Sequence, residues 1–276
     1  MSRSSSRDLL ELMQSAAAEA AAVLIRSLGK SRPLPKAYRE LVTDADLRSE
    51  ELLRSRLQEA LPGAGFAGEE DFGGSLPSGT YWLVDPLDGT NNYAHGYPVF
   101  SISIALIRNG VVELGCIHDP TRRETFLAGR GSGTMLNGHP VKASGASVLS
   151  DSLIATGFPY HRTVESLGFS LEPLVFFLHR AQGIRRGGSA ALDLAYVASG
   201  RLDGFFEQHL RPWDMAAGVL AVTEAGGVVS SFPAGPWSVD CGSVVASCPG
   251  IAGAMLEGTS KATESSGLDP SRRCKD

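Results

Sequence analysis

Tyr81-Trp-Leu-Val-Asp-Pro-Leu-Asp-Gly-Thr-Asn-Asn92 runs from a hydrophobic strand into an acidic turn, and its reading decides the fold. Tyr81 to Val84 is β-branched and aromatic-rich and stops at a Pro and Gly signal, which predicts a short buried strand. Pro86 and Gly89 turn the chain at the strand's end, so Asp85 and Asp88 are expected to converge instead of alternating across a sheet. Two carboxylates on one turn repel unless a positive charge sits between them. A hard divalent cation such as Mg2+ meets that need, taking oxygen ligands from carboxylates, backbone carbonyls and phosphate. The bland alternative is a strand-to-turn connection in which Asp88 merely caps the next stretch of chain, since Asp-Gly is a common turn pair. On these residues alone both readings stand.

Two further acidic spots lie far away in sequence. Gly68-Glu-Glu-Asp71 follows the apolar run Gly65-Phe-Ala67, and Trp213-Asp214-Met-Ala-Ala-Gly218 places an aspartate where a helix over Ala216 to Ala225 would begin. Each has an ordinary explanation: Glu69 and Glu70 as solvated loop charges, Asp214 as a first-turn residue stabilised by the helix dipole.

Taken jointly, Leu41-Val-Thr-Asp-Ala-Asp46, Gly68-Glu-Glu70, Trp82-Leu-Val-Asp-Pro-Leu-Asp-Gly-Thr-Asn-Asn92 and Trp213-Asp-Met-Ala-Ala-Gly218 resemble the inositol monophosphatases, in family order and at family-like spacing, from about Leu9 to about Ile251. The resemblance implies a Mg2+-dependent, lithium-sensitive phosphate monoester hydrolase that holds two or three Mg2+ ions. Carried over residue by residue, it makes Glu69, Asp85 and the Leu87 carbonyl ligands of the ion that activates water. Asp85, Asp88 and Asp214 would hold the second ion, with Asp85 bridging. Glu70 resembles the neighbour of a weaker third ion, or is a solvated charge. Asp46 and Thr90 match a dyad in which a threonine hydroxyl orients the attacking water. Their ordinary readings are a first-turn helix charge and an N-cap.

Phosphate needs donors, and Gly89 and Thr90 can offer backbone N–H groups at the start of a helical turn. Gly188, Ser189 and Ala190 match the stretch that approaches the substrate's hydroxyls in relatives. Glu207 matches the acceptor of polyol hydroxyls, against an ordinary strand-end charge. Asn91-Asn92 and, mildly, Glu40 depart from animal members, Leu210-Arg-Pro-Trp213 resembles bacterial ones, and these changes leave substrate choice open. Inositol or similar polyol monophosphates are the leading expectation. Fructose 1,6-bisphosphate, 3′-phosphoadenosine 5′-phosphate and histidinol phosphate are the alternatives on the same fold. A different class of reading is a regulatory protein that binds transcription machinery.

A chain of 276 residues with 43% hydrophobic content can bury a substantial core. The formal charge of −5 gives no basic footprint for nucleic acid, and an anionic substrate must depend on local metal or backbone charge. Cys116, Cys241, Cys248 and Cys274 lack paired metal spacing and read as free thiols of a cytoplasmic protein. The alanine-rich stretch from Ala16 to Ile25 is short and holds Glu19, so it is not a membrane span. It belongs instead to an amphipathic first helix marked by Leu9, Leu12, Met13, Ala16, Ala20, Val23 and Leu24.

A second helix is expected over Leu47 to Leu61, after caps at Thr43 and Asp44. An antiparallel meander comes next, with strands over 99–107, 111–117, 124–128 and 135–141 and a tight turn at Asn109-Gly110. Gly129-Arg-Gly-Ser-Gly133 lies inside it and reads as a turn, not a nucleotide loop, because no βαβ context surrounds it. Beyond Ser144, strands over 152–155, 202–207, 228–232 and 243–247 alternate with helices over 165–182, 189–198 and 212–225. The order predicts an α+β half over 1–145 and an α/β half over 146–257. The resemblance stacks these as a layered α-β-α-β-α sandwich of the inositol monophosphatase and fructose-1,6-bisphosphatase type, with the site between the halves. Residues 258–276, rich in Ser, Thr and charge, are expected to fray as a flexible tail. A homodimer is expected, with the apolar meander from Ile102 to Ile117 as a paired face or, equally, as internal core.

Overall fold

The computed structural model describes residues 5–29, 34–37, 40–159 and 164–266. Helix α1 (Ser6–Ser27) opens on a capping box in which the Ser5 hydroxyl accepts from the Asp8 N–H and the Asp8 carboxylate accepts from the Ser5 N–H. Its buried stripe of Leu9, Met13, Ala16, Ala20 and Leu24 keeps the helical spacing read from the sequence. A short antiparallel pair, β1 (Leu34–Ala37) and β2 (Glu40–Val42), leads into helix α2 (Asp44–Ala60), capped by Thr43.

The first sheet has seven strands in chain order: β3 (Gly65–Gly68), β4 (Thr80–Asp88), β5 (Ser101–Arg108), β6 (Val111–Asp119), β7 (Glu124–Gly129), β8 (Gly133–Leu136) and β9 (His139–Val141). Only the β3–β4 pair is parallel. Helix α3 (Thr90–Ala94) follows the acidic turn directly. Asn109 and Gly110, at φ 52° and 78°, form the two-residue turn between β5 and β6. The single strand expected over 135–141 is a hairpin instead. Asn137-Gly138 takes φ 48° and 80° and folds β9 back on β8, repeating a signal visible at Asn109-Gly110.

The second sheet has the order β11 (Gly183–Arg185), β10 (Leu153–Thr156), β12 (Gly204–Gln208), β14 (Ser243–Ser247), β13 (Val228–Ser230), with β11, β10 and β12 mutually parallel. Helices α5 (Ala190–Ala198) and α6 (Pro212–Glu224) lie between the sheets, while α4 (Val164–Leu178) and α7 (Ala252–Ser266) cover the far face of the second. With α1 and α2 on the far face of the first sheet, the layers run α-β-α-β-α as expected.

Three apolar clusters fill the spaces between the layers. Leu24, Leu57, Trp82, Phe100 and Ile104 pack under α1 and α2, while Leu194, Val197, Met215 and Phe205 join both sheets through α5 and α6. Phe177, Phe206 and Met255 close the outer layer. Each such side chain stabilises the fold by about 1.5–3 kcal/mol relative to exposure.

One open alternative is decided and two further expectations are corrected. Ile102, Ile104, Leu106, Leu114 and Cys116 are buried against the first helical layer, and Ala105, Ile107 and Ile117 against the central one. Of the two alternatives left open for the stretch from Ile102 to Ile117, these side chains take the second, internal core on both faces. Residues 258–266, expected to fray, are the second half of α7, where Thr259 is fully buried and donates to the Met255 and Pro233 carbonyls. Residues 267–276 lie outside the described set. Strand β11 lies just beyond the helix expected over 165–182, where no strand was expected; α4 ends at Leu178, and the three-residue strand is too short to show a period.

Cys116, Cys241 and Cys248 are free thiols, and Cys274 is outside the described residues. No helix among the described residues is long and apolar enough to cross a membrane.

Candidate active site

Strand β4 carries the acidic turn to the junction of the two halves. Its pairing with β5 is regular from Thr80 to Asp85 and slips between Asp85 and Asp88, so the Pro86-Leu87 pair bulges out of the ladder. The bulge breaks the strand's alternation, as the Pro–Gly signal requires. Asp85 is 2% exposed and its Oδ1 accepts the Leu87 N–H at 2.9 Å. The Ser49 hydroxyl of α2 holds the Pro86 carbonyl at 3.0 Å.

Gly89 closes the turn at φ 97° as the N-cap of α3. A Cβ there would stand 3.1 Å from both the Gly188 and Val99 carbonyls, so the acidic turn of the first half touches the Gly188 turn of the second through backbone. Asn92 fastens the same seam, its Nδ2 donating to the Val99 carbonyl at 2.7 Å and the Gly187 carbonyl at 2.9 Å.

The Thr90 hydroxyl donates to Asp46 Oδ1 at 3.2 Å and lies 3.0 Å from the Leu87 carbonyl. Asp46 is fully buried as the N3 residue of α2, where its other oxygen accepts the Thr43 N–H at 2.9 Å. Its two oxygens thus divide the readings left open by the sequence: one caps the helix, the other orients Thr90. Burial raises its pKa, and hydrogen bonds from Thr43 and Thr90 pull it back.

Asp88 is held from the opposite half. Its Oδ2 accepts the Ser189 hydroxyl at 2.6 Å and the Ala191 N–H at 2.8 Å, at the N-terminus of α5. Within the Gly188-Ser189-Ala190 stretch, Ser189 and the Ala190 backbone therefore aim their donors at Asp88, with Ala191 beside them. Burial lifts the Asp88 carboxyl to about 6, against the lowering effect of these bonds.

Helix α6 delivers Asp214 in its first turn, with Oδ2 accepting the Arg211 N–H at 2.7 Å. Glu69 follows β3, where its N–H donates to the Val84 carbonyl at 3.1 Å and extends the parallel pairing to the doorstep of Asp85. The four acids, drawn from three separate segments of the sequence, share one field. Burial raises the Asp85 carboxyl well above its ordinary range, and Glu69, Asp88 and Asp214 raise it further. The Asp214 carboxyl is raised likewise, by burial and then by Asp88 and Glu69.

Glu207 is the penultimate residue of β12, beside the C-terminal end of parallel β10, the edge at which open α/β sheets take ligands. A Cβ on Gly157 would fall 2.0 Å from its carboxylate oxygens, so only glycine leaves the side chain room. Burial first, then Asp193, push its carboxyl to about 8, with Arg186 opposing. Asp193 of α5 is itself buried and raised well above the usual range, with Asp88 adding and Arg186 subtracting. Reading the sequence missed Asp193, Asn92 and Glu50. A signal for the last existed: Glu50 lies one helical turn beyond Asp46, on the same face of α2.

The donor set of carboxylates and a carbonyl, without thiolate or imidazole, suits Mg2+. Among the described residues no three acidic, histidine or cysteine side chains already stand in a coordination arrangement. The fit rests on the donors and on a mutual repulsion that a divalent cation relieves.

The family model of the inositol monophosphatases matches residues 6–267. The inositol-1-monophosphatase of Mesorhizobium japonicum is 40% identical over 259 residues, covering 92% of this chain and 96% of that one. The Nus factor SuhB of Escherichia coli is 41% identical over 225 residues, covering 80% and 83%. The crystal structure of the extragenic suppressor protein suhB from Bartonella henselae superposes with a TM-score of 0.86 at 38% identity, covering 92% and 98%.

Proposed function

This chain belongs to the inositol monophosphatase family and is a phosphatase, and from that premise we propose that it hydrolyses myo-inositol or similar polyol monophosphates with Mg2+. Family members are generally Mg2+-dependent. The observation that carries the reading is Asp85: a carboxylate 2% exposed, surrounded by Glu69, Asp88 and Asp214. At neutral pH such a cluster is stable as a set of ligands far more readily than as a packing device.

In this reading Glu69, Asp85 and the Leu87 carbonyl would hold one ion, and Asp85, Asp88 and Asp214 a second. Mg2+ when bound would supply positive charge to the phosphate oxygens and acidify water. Thr90, fixed by Asp46, takes a hydrogen bond from the attacking water and aligns it with phosphorus. The backbone N–H groups of Gly89 and Thr90 face the phosphate. Ser189 and the N–H groups of Ala190 and Ala191 hold Asp88 in orientation. Glu207, adjacent to the cluster and outside the ligand set, binds the polyol hydroxyls. Because burial favours its protonated form, it can donate as well as accept in that contact.

The test is a panel of inositol 1-phosphate, fructose 1,6-bisphosphate, 3′-phosphoadenosine 5′-phosphate and histidinol phosphate compared by kcat/KM. Inositol phosphate is expected to lead. Preference for another member reassigns the pocket without removing the phosphatase chemistry. Lithium inhibition, a cytoplasmic location and a homodimer go with this reading. Light scattering at micromolar concentration tests the dimer, and a monomer rejects it.

A second role is favoured by the likeness to relatives named Nus factor SuhB: binding to transcription machinery. Restoration of a deletion strain's growth by an inactive Asp88→Asn variant supports that role, and failure to restore it ties the cellular role to hydrolysis.

A further inference from the structure

Glu50 is a buried acid, 4% exposed, to which the proposed reaction gives no part. It lies on the face of α2 that also presents Asp46, but it reaches a different target. Its Oε2 accepts the Glu70 N–H at 2.9 Å, and its Oε1 takes the Arg54 guanidinium at 3.0 Å. The same Arg54 nitrogen reaches Asp71 Oδ2 at 3.0 Å, while its guanidinium lies 4.1 Å over the Phe66 ring. A Cβ on Gly68 would stand 2.3 Å from Glu50 Oε2 and 2.5 Å from its carboxyl carbon. The Glu50 carboxylate therefore occupies the space that Gly68 leaves, and its partners surround Glu69 on both sides: Gly68 before it, Glu70 and Asp71 after it. Glu69 is the residue whose carboxylate must reach Asp85, and its own N–H is already spent on the Val84 carbonyl.

We propose that Glu50 is a positioning residue, which fixes the backbone on which Glu69 stands and so sets the affinity of the site for Mg2+; the inference rests on the metal assignment above. The ion pair with Arg54 has a second consequence. It satisfies the charge of Glu50 inside the fold, so this carboxylate serves as a strut and does not join the ligand set. Phe66 and Asp71 in turn hold Arg54, and Phe72, beyond Asp71, packs edge-on at 5.0 Å against Trp213, which precedes Asp214. One strut thus spans from α2 to the segment that touches the base of α6. Removal of partners that orient a metal ligand generally costs about 10- to 100-fold in metal affinity.

The test titrates the full chain with MgCl2 alone by isothermal titration calorimetry, comparing wild type, Glu50→Ala, Gly68→Ala and Asp85→Asn, with amide hydrogen exchange followed at Glu70. Glu50→Ala is expected to weaken Mg2+ binding about 10- to 100-fold, to speed exchange at the Glu70 amide, and to recover its kcat when Mg2+ is raised to saturation. Gly68→Ala displaces the same carboxylate with a methyl group and is expected to act in the same direction, which keeps the test alive if Glu50→Ala does not fold. Wild-type Mg2+ affinity in the folded variants overturns the positioning role, as does a kcat loss that saturating Mg2+ does not restore. If wild type binds Mg2+ no better than Asp85→Asn, the metal assignment itself fails, a result distinct from the other two.

Discussion

Replacing Thr90 by Val removes one hydroxyl and nearly nothing else, because valine keeps the shape. In the folded chain that hydroxyl is the donor to Asp46 Oδ1, on a side chain with no exposure, while Asp46 Oδ2 goes on capping α2 through Thr43. The structural cost is that of an acceptor on a buried charged group left without its donor, about 1–3 kcal/mol. For a chain of this size it reads as a fall in Tm of roughly 2–4 °C per kcal/mol. The catalytic cost is separate: a lost water-orienting group takes about 10²- to 10⁴-fold from kcat. Thr90→Ser keeps the hydroxyl and should retain most of both. The pair acts as a unit, so Asp46→Asn with Thr90→Val should lose scarcely more activity than either alone. The assay is a double-mutant cycle in kcat on inositol 1-phosphate at saturating Mg2+, beside thermal unfolding. Losses that multiply in the double variant would refute the dyad, and Thr90→Val with full kcat and lowered Tm would make Thr90 a packing residue.

Asp85→Asn or Asp214→Asn should lower kcat at least about a hundredfold, and EDTA should abolish turnover, since metal and electrostatic terms each supply several kcal/mol; unchanged activity in EDTA sinks the metal assignment. Glu207→Gln should cost about ten- to a hundredfold in kcat/KM on inositol phosphate through a lost hydrogen bond of about 1–3 kcal/mol, and spare p-nitrophenyl phosphate. Equal loss on both substrates would put Glu207 in the scaffold. The Glu207 carboxyl, ordinarily near 4.5, stands at about 8 in the folded chain. Its contribution to stability is therefore full below pH 4.5 and is lost as pH rises to 8, so in metal-free protein Glu207→Gln should flatten the decline over that same range in urea unfolding. An unchanged slope counts against the shift.

The helices and most strands were legible because their signals are local. Leu9 to Leu24 keeps a helical stripe, Thr43 caps α2 as expected while Asp44 is that helix's first residue, and Asn109-Gly110 marks its turn. What escaped depends on partners distant in sequence. Strand β11 has three residues and exists because β10 offers it a parallel edge. The second half of α7 reads as a polar tail, yet Thr259 is buried against Pro233. Asn137-Gly138 carried the same turn signal as Asn109-Gly110, but the flanking strands were too short to show that two of them met there.

The acidic site was half legible for a physical reason that Asp46 and Asp214 share. Each is the N3 residue of its helix and each accepts the backbone N–H of the residue that precedes the helix, Thr43 or Arg211. A carboxylate there is favoured for the helix alone, so the sequence signal for a cap and the signal for a ligand are the same signal. Two oxygens remove the conflict: one serves the helix terminus while the other is left for Thr90 or for a cation. The cap then does more than end a helix. It fixes the carboxylate's rotamer before any ion arrives, with no separate supporting residue required. Asp88 lacks a helix of its own and borrows one, taking Ser189 and Ala191 from the start of α5 in the opposite half. Glu69 has no helix at all, and the structure gives it Glu50 on α2 instead, through the neighbouring amide. Asp88 and Asp214 are thus anchored at helix termini and the backbone of Glu69 at a helix face, so the helices, packed against both sheets, bear on how far apart the four charges can relax.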